Sequence, residues 1–211
     1  MPPCVESECN GLDHAWRALR RRGDLTLREV ACVGVAQTLL VADVVPRPHA
    51  PWIVLAGEEQ PESAATWALL SIVRDGLLST QFAYRIWPRI NRSDEKPQRG
   101  DAQFRAIATA NRDRRFVLGM ELREEDGEAF MCERDRTAGV DGTAAAVTAA
   151  LGELGFAACE RRHAGSAPTL LPRRTTDQTL RLAAPQHAGC DDRIAMHRIA
   201  VSAALAYMER A

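Results

Sequence analysis

The chain has 211 residues and a formal net charge of −1, with 46% of its residues hydrophobic and 26% charged. This length suits one domain with a substantial core, and the high hydrophobic content with low net charge excludes a disordered chain. No apolar run reaches the roughly 18–20 residues of a membrane span, and the first ten residues lack the features of a secretory signal. We therefore expect a cytoplasmic protein without a membrane partner.

In the first half of the chain, the sequence pattern predicts two helices, with strands between them and one strand after the second helix. In chain order these elements are a helix over 10–22, two strands within 25–45, a strand over 52–56, a helix over 61–75 and a strand over 82–86. The helices are indicated by apolar residues three and four positions apart, and the strands by alternation or short apolar runs. Gly34 lies where the long Val- and Leu-rich stretch is expected to break into two strands.

The segment 88–100 divides the predicted elements into two groups. It contains two prolines and a glycine and almost no large apolar side chains, which is typical of a surface loop or linker. We predict a single domain over 1–211, in which this segment could separate two lobes, 10–88 and 101–210.

The second half predicts a helix from 101, a β-hairpin over 115–134, a helix over 141–154 and a long helix over 190–210, with short strands near 156–159 and 179–183. The hairpin prediction depends on Asp126-Gly127, which stands between two alternating runs. Grouped strands and helices favour an α+β fold with a mostly antiparallel sheet packed against about five helices.

Charge is segregated in the middle of the chain. The segment 85–115 carries nine Arg or Lys against four acids, whereas 121–135 carries seven acids against two arginines. Opposite charges on adjacent segments can pair internally or present two surfaces to partners. In the basic segment, a partner- or anion-binding group of one aromatic and three cations is predicted at Trp87, Arg89, Arg92 and Arg99.

Three residues are candidates for nucleophilic or acid–base chemistry. Cys132 lies beside Glu133 on a predicted strand, and His163 lies in an Arg-rich loop, so a Cys–His pair is one hypothesis. Cys190 begins the last helix, where the helix dipole favours a thiolate, although two aspartates follow it. For each of the two cysteines, an inert thiol is the favoured alternative.

We predict no metal site and no cofactor. Cys190 and His197 would share one helix face but lie about 10 Å apart, at a rise of roughly 1.5 Å per residue, too far for zinc bonds of about 2.0–2.3 Å. The sequence also contains no G-x-x-x-x-G-K-[ST], G-x-G-x-x-G, G-x-S-x-G or H-E-x-x-H motif.

Two functions remain open after these exclusions. The main hypothesis is a non-catalytic module that binds a protein partner or self-associates, because no catalytic motif is present and charge is segregated. The alternative is a small enzyme acting on an anionic small molecule, with arginines that bind the anion and a catalytic Cys or His. Near-neutral overall charge disfavours nucleic acid as a partner.

Overall fold

The computed structural model describes residues 5–59, 64–91, 97–134, 142–162, 171 and 175–211. Within these residues it has five α-helices: α1 Val5–Ala18, α2 Ala64–Arg74, α3 Pro97–Ala110, α4 Gly142–Glu153 and α5 Cys190–Arg210. A short 3-10 helix, Leu19–Arg21, continues α1. The strands are β1 Leu25–Ala31, β2 Thr38–Val44, β3 Trp52–Glu59, β4 Ala83–Asn91, β5 Phe116–Glu125, β6 Phe130–Arg134, β7 Ala158–Arg162 and β8 Thr179–Pro185.

All eight strands form one sheet in the order β1-β2-β4-β3-β5-β8-β6-β7. The fold is α+β with five helices and a long C-terminal helix, as predicted. The sheet is mixed, however, because the four central strands β4, β3, β5 and β8 run parallel and only β1/β2, β2/β4 and β6/β8 pair antiparallel. The prediction of a mostly antiparallel sheet therefore needs correction.

The predicted hairpin over 115–134 has its two strands and its turn, but the strands do not pair with each other. β8 lies between β5 and β6, parallel to the first and antiparallel to the second. The Asp126-Gly127 turn thus joins strands that flank a third one, contributed by a segment about fifty residues later in the chain.

Helices cover both faces of the sheet. On one face α1, α2, α4 and α5 pack around Ile53, Leu55 and Leu122, and on the other α3 packs around Val54 and Ala56. The alternation of β3 between these two cores follows from the period of two along a strand. A central parallel strand covered on both faces is accordingly apolar along most of its length.

The connection between β4 and α3 is shorter than the predicted loop or linker over 88–100. β4 extends to Asn91 and α3 begins at Pro97, and strands from both sides of the segment join the same sheet. In the described part of the chain, no helix is long and apolar enough to cross a membrane.

Candidate functional site

The candidate site lies at the carboxyl ends of β3 and β5, where the direction of the chain connections reverses. β3 continues through α2 to β4 on one side, whereas β5 continues to β6 on the other side of the sheet. In open sheets with parallel strands, such a reversal opens a crevice outside the strand ends, and ligands bind there. Charged side chains are buried at and near this edge, in strands that are otherwise apolar.

Glu121 on β5 is the most enclosed carboxylate of the group, with no exposed side-chain surface. Its Oε2 accepts a hydrogen bond from Arg123 Nη2 at 2.8 Å, and its Oε1 accepts one from the Leu171 N–H at 2.9 Å. Arg123 is itself 2% exposed. Burying both charges is tolerated because each neutralises the other and the remaining carboxylate oxygen receives a backbone donor.

A row of alternating charges crosses the sheet from Glu121. The strand register places Arg181 of β8 opposite Glu121, Glu133 of β6 opposite Arg181, and Arg161 of β7 opposite Glu133. Arg181 Nη1 donates to Glu133 at 3.0 Å, and Arg181 Nε lies 3.5 Å from Glu121 Oε2. Opposite charges on directly paired residues stabilise the sheet, so this row favours the observed register.

Glu124 joins two helices to the end of β5. Its Oε1 accepts a hydrogen bond from the Ala64 N–H at 2.7 Å, at the first residue of α2. Its Oε2 accepts a hydrogen bond from Arg193 Nη1 on α5. A carboxylate at a helix N-terminus satisfies a backbone donor and interacts favourably with the helix dipole.

Glu58 stands at the end of β3 beside a bulge. The pairing of β3 with β4 shifts register between Ala56 and Glu58, and bulges of this kind often re-aim a side chain next to an active site. The last registered pair between β3 and β5 is Gly57 with Leu122, so Glu58 stands about level with Arg123. Glu58 is 1% exposed. Its position therefore places a buried carboxylate at the crevice.

His197 of α5 is fully buried next to this group, with its ring edge-on to Phe130 at 5.7 Å between centroids. Burial lowers its pKa to about 3, against a smaller opposing effect of the Arg123 backbone, and the charge of Arg193 lowers the pKa further. The imidazole is thus neutral at physiological pH.

Of the four residues in the predicted partner-binding group, the structure describes the side chains of two, Trp87 and Arg89. Trp87 is fully buried in the core on the α3 face, and Arg89 lines a pocket of about 70 Å3 together with Arg17 and Glu29. Arg99 lies in α3, where its side chain is outside the described part, and Arg92 lies outside the described residues altogether.

Of the three predicted chemical candidates, Cys132 and Cys190 lie within the described residues. Cys132 is fully buried, and burial raises the pKa of its thiol to about 12. Cys190 is exposed at the start of α5. His163 lies outside the described residues, so the hypothesis of a Cys–His pair stays a prediction.

Glu121 and Arg181 were not predicted as site residues from the sequence. Glu121 and Arg181 each interrupt an apolar strand, in the runs FVLGMELRE and TLRLAAP. A charge inside such a run marks a buried polar group, because a side chain at that position of a central strand cannot reach solvent. Net charge summed over a segment does not reveal this signal, whereas the position of a single charge within an apolar run does.

Several solved structures share this fold. No protein-family model matches the chain, and no curated protein matches it significantly in sequence. A provisionally assigned metallopeptidase from Shewanella amazonensis superposes with a TM-score of 0.73 at 14% identity, covering 95% of this chain and 93% of that one. A similar provisional metallopeptidase from Shewanella denitrificans gives 0.71 at 14% identity, covering 95% and 90%.

A third similar structure is a complex with a small molecule. The metallo-carboxypeptidase from Pseudomonas aeruginosa, in complex with (2-guanidinoethylmercapto)succinic acid, gives a TM-score of 0.66 at 11% identity, covering 99% of this chain and 70% of that one. At such identities the likeness concerns the fold.

These comparisons contradict our main hypothesis from the sequence. The matched folds belong to proteins described as peptidases, so the prediction of a non-catalytic protein-binding module is wrong, and with it the predicted protein partner or self-association. The physical reason is that segregated charge suggested exposed surfaces. In the fold, Glu121, Glu124 and Glu133 pair with arginines of the same chain.

The descriptions of these structures imply a metal ion, and the described residues do not fit one. No three His, Cys, Asp or Glu side chains in the described ranges are grouped so that they could hold a metal. The oxygens of Glu121 and Glu124 already accept hydrogen bonds from guanidinium and backbone N–H groups, and His197 lies against Phe130. The described side chains of this site are therefore assigned no metal-binding role.

Proposed function

We propose that this chain is an enzyme that binds a small anionic or peptide-like substrate at the carboxyl ends of β3 and β5. The observation that carries this proposal is the concentration of buried charge at the crevice, where Glu58 and Arg123 stand about level on neighbouring strands. Buried charges are unfavourable for stability compared with apolar side chains of similar volume. Their concentration at a ligand-binding edge favours a functional role.

In this proposal the arginines bind the anion. A guanidinium group recognises a carboxylate through parallel hydrogen bonds, and its positive charge acts more strongly in a buried site than in water. Arg123 lies closest to the crevice, and Arg181 lies on the next strand, joined to it through Glu121. A substrate carboxylate would be oriented by the pair with little rearrangement, because both side chains are already held in place.

Glu58 is the proposed general base. A buried carboxylate beside a bound substrate can take a proton from water as the water attacks an amide or ester carbonyl. The proton then passes to the leaving amine or alcohol, which balances the reaction as a hydrolysis. The peptidase descriptions of the similar structures, and a bound ligand that is a substituted succinic acid, support an amide substrate with a nearby carboxylate.

The experiment is an assay of paired substrates. N-acyl amino acids and dipeptides with a free carboxylate would be compared with their carboxamides, with product release followed by mass spectrometry. We expect hydrolysis of the acids only, and Glu58→Gln to lower kcat by about 100-fold at an unchanged melting temperature. Glu153→Gln, at an exposed position of α4, is the matched control and should leave the rate unchanged. No turnover, or a fully active Glu58→Gln variant, would overturn the proposal.

The cytoplasmic location and the single domain over 1–211 predicted from the sequence are kept as parts of this proposal. Cell fractionation tests the location. Limited proteolysis tests the domain, since one domain should give no stable fragment divided within 88–100.

A further inference from the structure

We infer that guanidinium groups of this chain neutralise Glu121 and Glu124, and that these two carboxylates bind no divalent cation, although the similar structures are described as metallopeptidases. The inference concerns charge neutralisation, and it stands whether or not the proposed reaction is found. Its basis is the hydrogen bonding of the four carboxylate oxygens of Glu121 and Glu124.

Both carboxylate oxygens of Glu121 already accept hydrogen bonds. Oε1 receives the Leu171 N–H at 2.9 Å, and Oε2 receives Arg123 Nη2 at 2.8 Å with Arg181 Nε at 3.5 Å. A divalent ion bound to Oε2 at roughly 2.0–2.6 Å would stand within a few ångströms of two fixed positive charges. In a buried site the repulsion between these cations would be screened little by water.

Both oxygens of Glu124 also accept hydrogen bonds, and the donors would be buried without a partner if this carboxylate were removed. Oε1 accepts from the first N–H of α2, and Oε2 pairs with Arg193, which is 7% exposed. A metal that captured this carboxylate would remove the cap of α2 and leave a buried arginine without its charge partner.

The strand register makes the arrangement part of the fold. Arg181 stands opposite Glu121 on one neighbouring strand and opposite Glu133 on the other. Its guanidinium is therefore placed between two carboxylates by backbone hydrogen bonding. To admit a metal, the arginine would have to leave a position that two strand pairings impose.

The first test measures metal content. The full chain would be dialysed against zinc, manganese and cobalt in turn, and bound metal determined by mass spectrometry for wild type, Glu121→Gln, Glu124→Gln and the surface control Glu153→Gln. We expect the same content in all four proteins. A stoichiometric ion in the wild type that is lost in Glu121→Gln or Glu124→Gln, but retained in the control, would overturn the inference.

The second test removes the guanidinium and does not depend on turnover. In Arg123→Gln and Arg181→Gln, Glu121 loses part of its positive surroundings, so added zinc or manganese should raise the melting temperature by several degrees. The wild type should show no such rise. If the wild type is stabilised by the metal as much as the variants, the inference fails. Neither measurement uses a substrate, so these tests are independent of the proposed enzyme activity. That activity is tested only by the paired-substrate assay.

Discussion

The Arg85 guanidinium donates two parallel hydrogen bonds to the Asp43 carboxylate, from Nε to Oδ1 at 2.8 Å and from Nη2 to Oδ2 at 2.9 Å. This pair links β4 to β2, and Arg85 Nη1 also donates to the Ala110 carbonyl at the end of α3. Arg85 is 2% exposed, so its charge is out of reach of water. One residue of the basic segment 85–115 thus serves the interior of the fold.

We therefore expect Asp43→Asn to destabilise the protein by about 3 kcal/mol. The substitution keeps the shape of the side chain but removes the bidentate counter-charge of a buried guanidinium, and breaking a buried pair from one side costs about 3–5 kcal/mol. The carboxylate that remains near Arg85, Asp113, is exposed and lies 3.9 Å away, so we expect the lower end of this range. Urea denaturation measures the free energy of unfolding.

The exposed pair Arg17–Glu29, at 2.6 Å, offers a matched control. Glu29→Gln should cost less than about 1 kcal/mol, since water screens exposed pairs. If Asp43→Asn and Glu29→Gln lowered the free energy of unfolding equally, the buried Arg85–Asp43 pair would contribute no more to stability than the exposed pair.

His197 gives the stability of the protein a defined dependence on pH. Its pKa is about 3 in the fold and 6.5 in an ordinary environment, so the unfolded chain binds a proton at a higher pH than the folded one. The stabilising effect is therefore complete above pH 6.5 and is lost as the pH falls from 6.5 toward 3.

We expect the free energy of unfolding to fall over this range with a slope of up to about 1.4 kcal/mol per pH unit from this residue. His197→Gln, which does not titrate, should reduce the slope, whereas His187→Gln at an exposed position should change it little. Denaturation curves at half-unit intervals between pH 4 and 7 measure it. A slope unaffected by His197→Gln would contradict the assignment.

Two glycines differ in what an added methyl group would meet. At Gly57 a Cβ would lie 2.5 Å from the Pro88 carbonyl oxygen and 3.1 Å from a Leu69 methyl, because β3 passes close to β4 at the bulge. At Gly152 in α4 a Cβ would meet nothing within 4 Å. The same substitution should therefore have opposite effects at the two positions.

Gly57→Ala should destabilise the protein by about 1–3 kcal/mol, because the backbone of Pro88 must shift to admit the methyl group. Gly152→Ala should stabilise it by about 0.4–1 kcal/mol, because alanine loses less conformational freedom in a helix. Thermal unfolding of the two variants beside the wild type compares them directly. A Gly57→Ala variant as stable as Gly152→Ala would refute the close approach of the two strands.

Elements with strong local signals were predicted well, because their causes lie within a few residues of sequence. The last helix was expected over 190–210 and runs from Cys190 to Arg210, and the break near Gly34 separates β1 from β2. Gly34 has φ +91°, a conformation that glycine adopts without strain. Helical spacing, turns and strand alternation depend on neighbours in the chain, so the sequence contains them.

The order of strands and the pairing of charges depend on contacts between distant segments. An Asp-Gly turn indicates that the chain reverses, but it does not indicate whether a third strand enters between the two arms, as β8 does. Likewise the sequence left open whether the acids of 121–135 pair internally or face partners. In the fold, Glu121 is paired with Arg181 and Glu124 with Arg193, sixty and sixty-nine positions away.

The sequence by itself determined that this is a well-packed α+β chain with near-zero net charge, since composition and local periodicity control those properties. Only the tertiary structure decided where the charges lie. Hydrogen bonding between strands set the register, and the register placed buried Glu121 and Arg181 opposite each other, in a row of alternating charges beside the crevice. The −1 of the whole chain thus includes charges that neutralise one another in the interior of the protein.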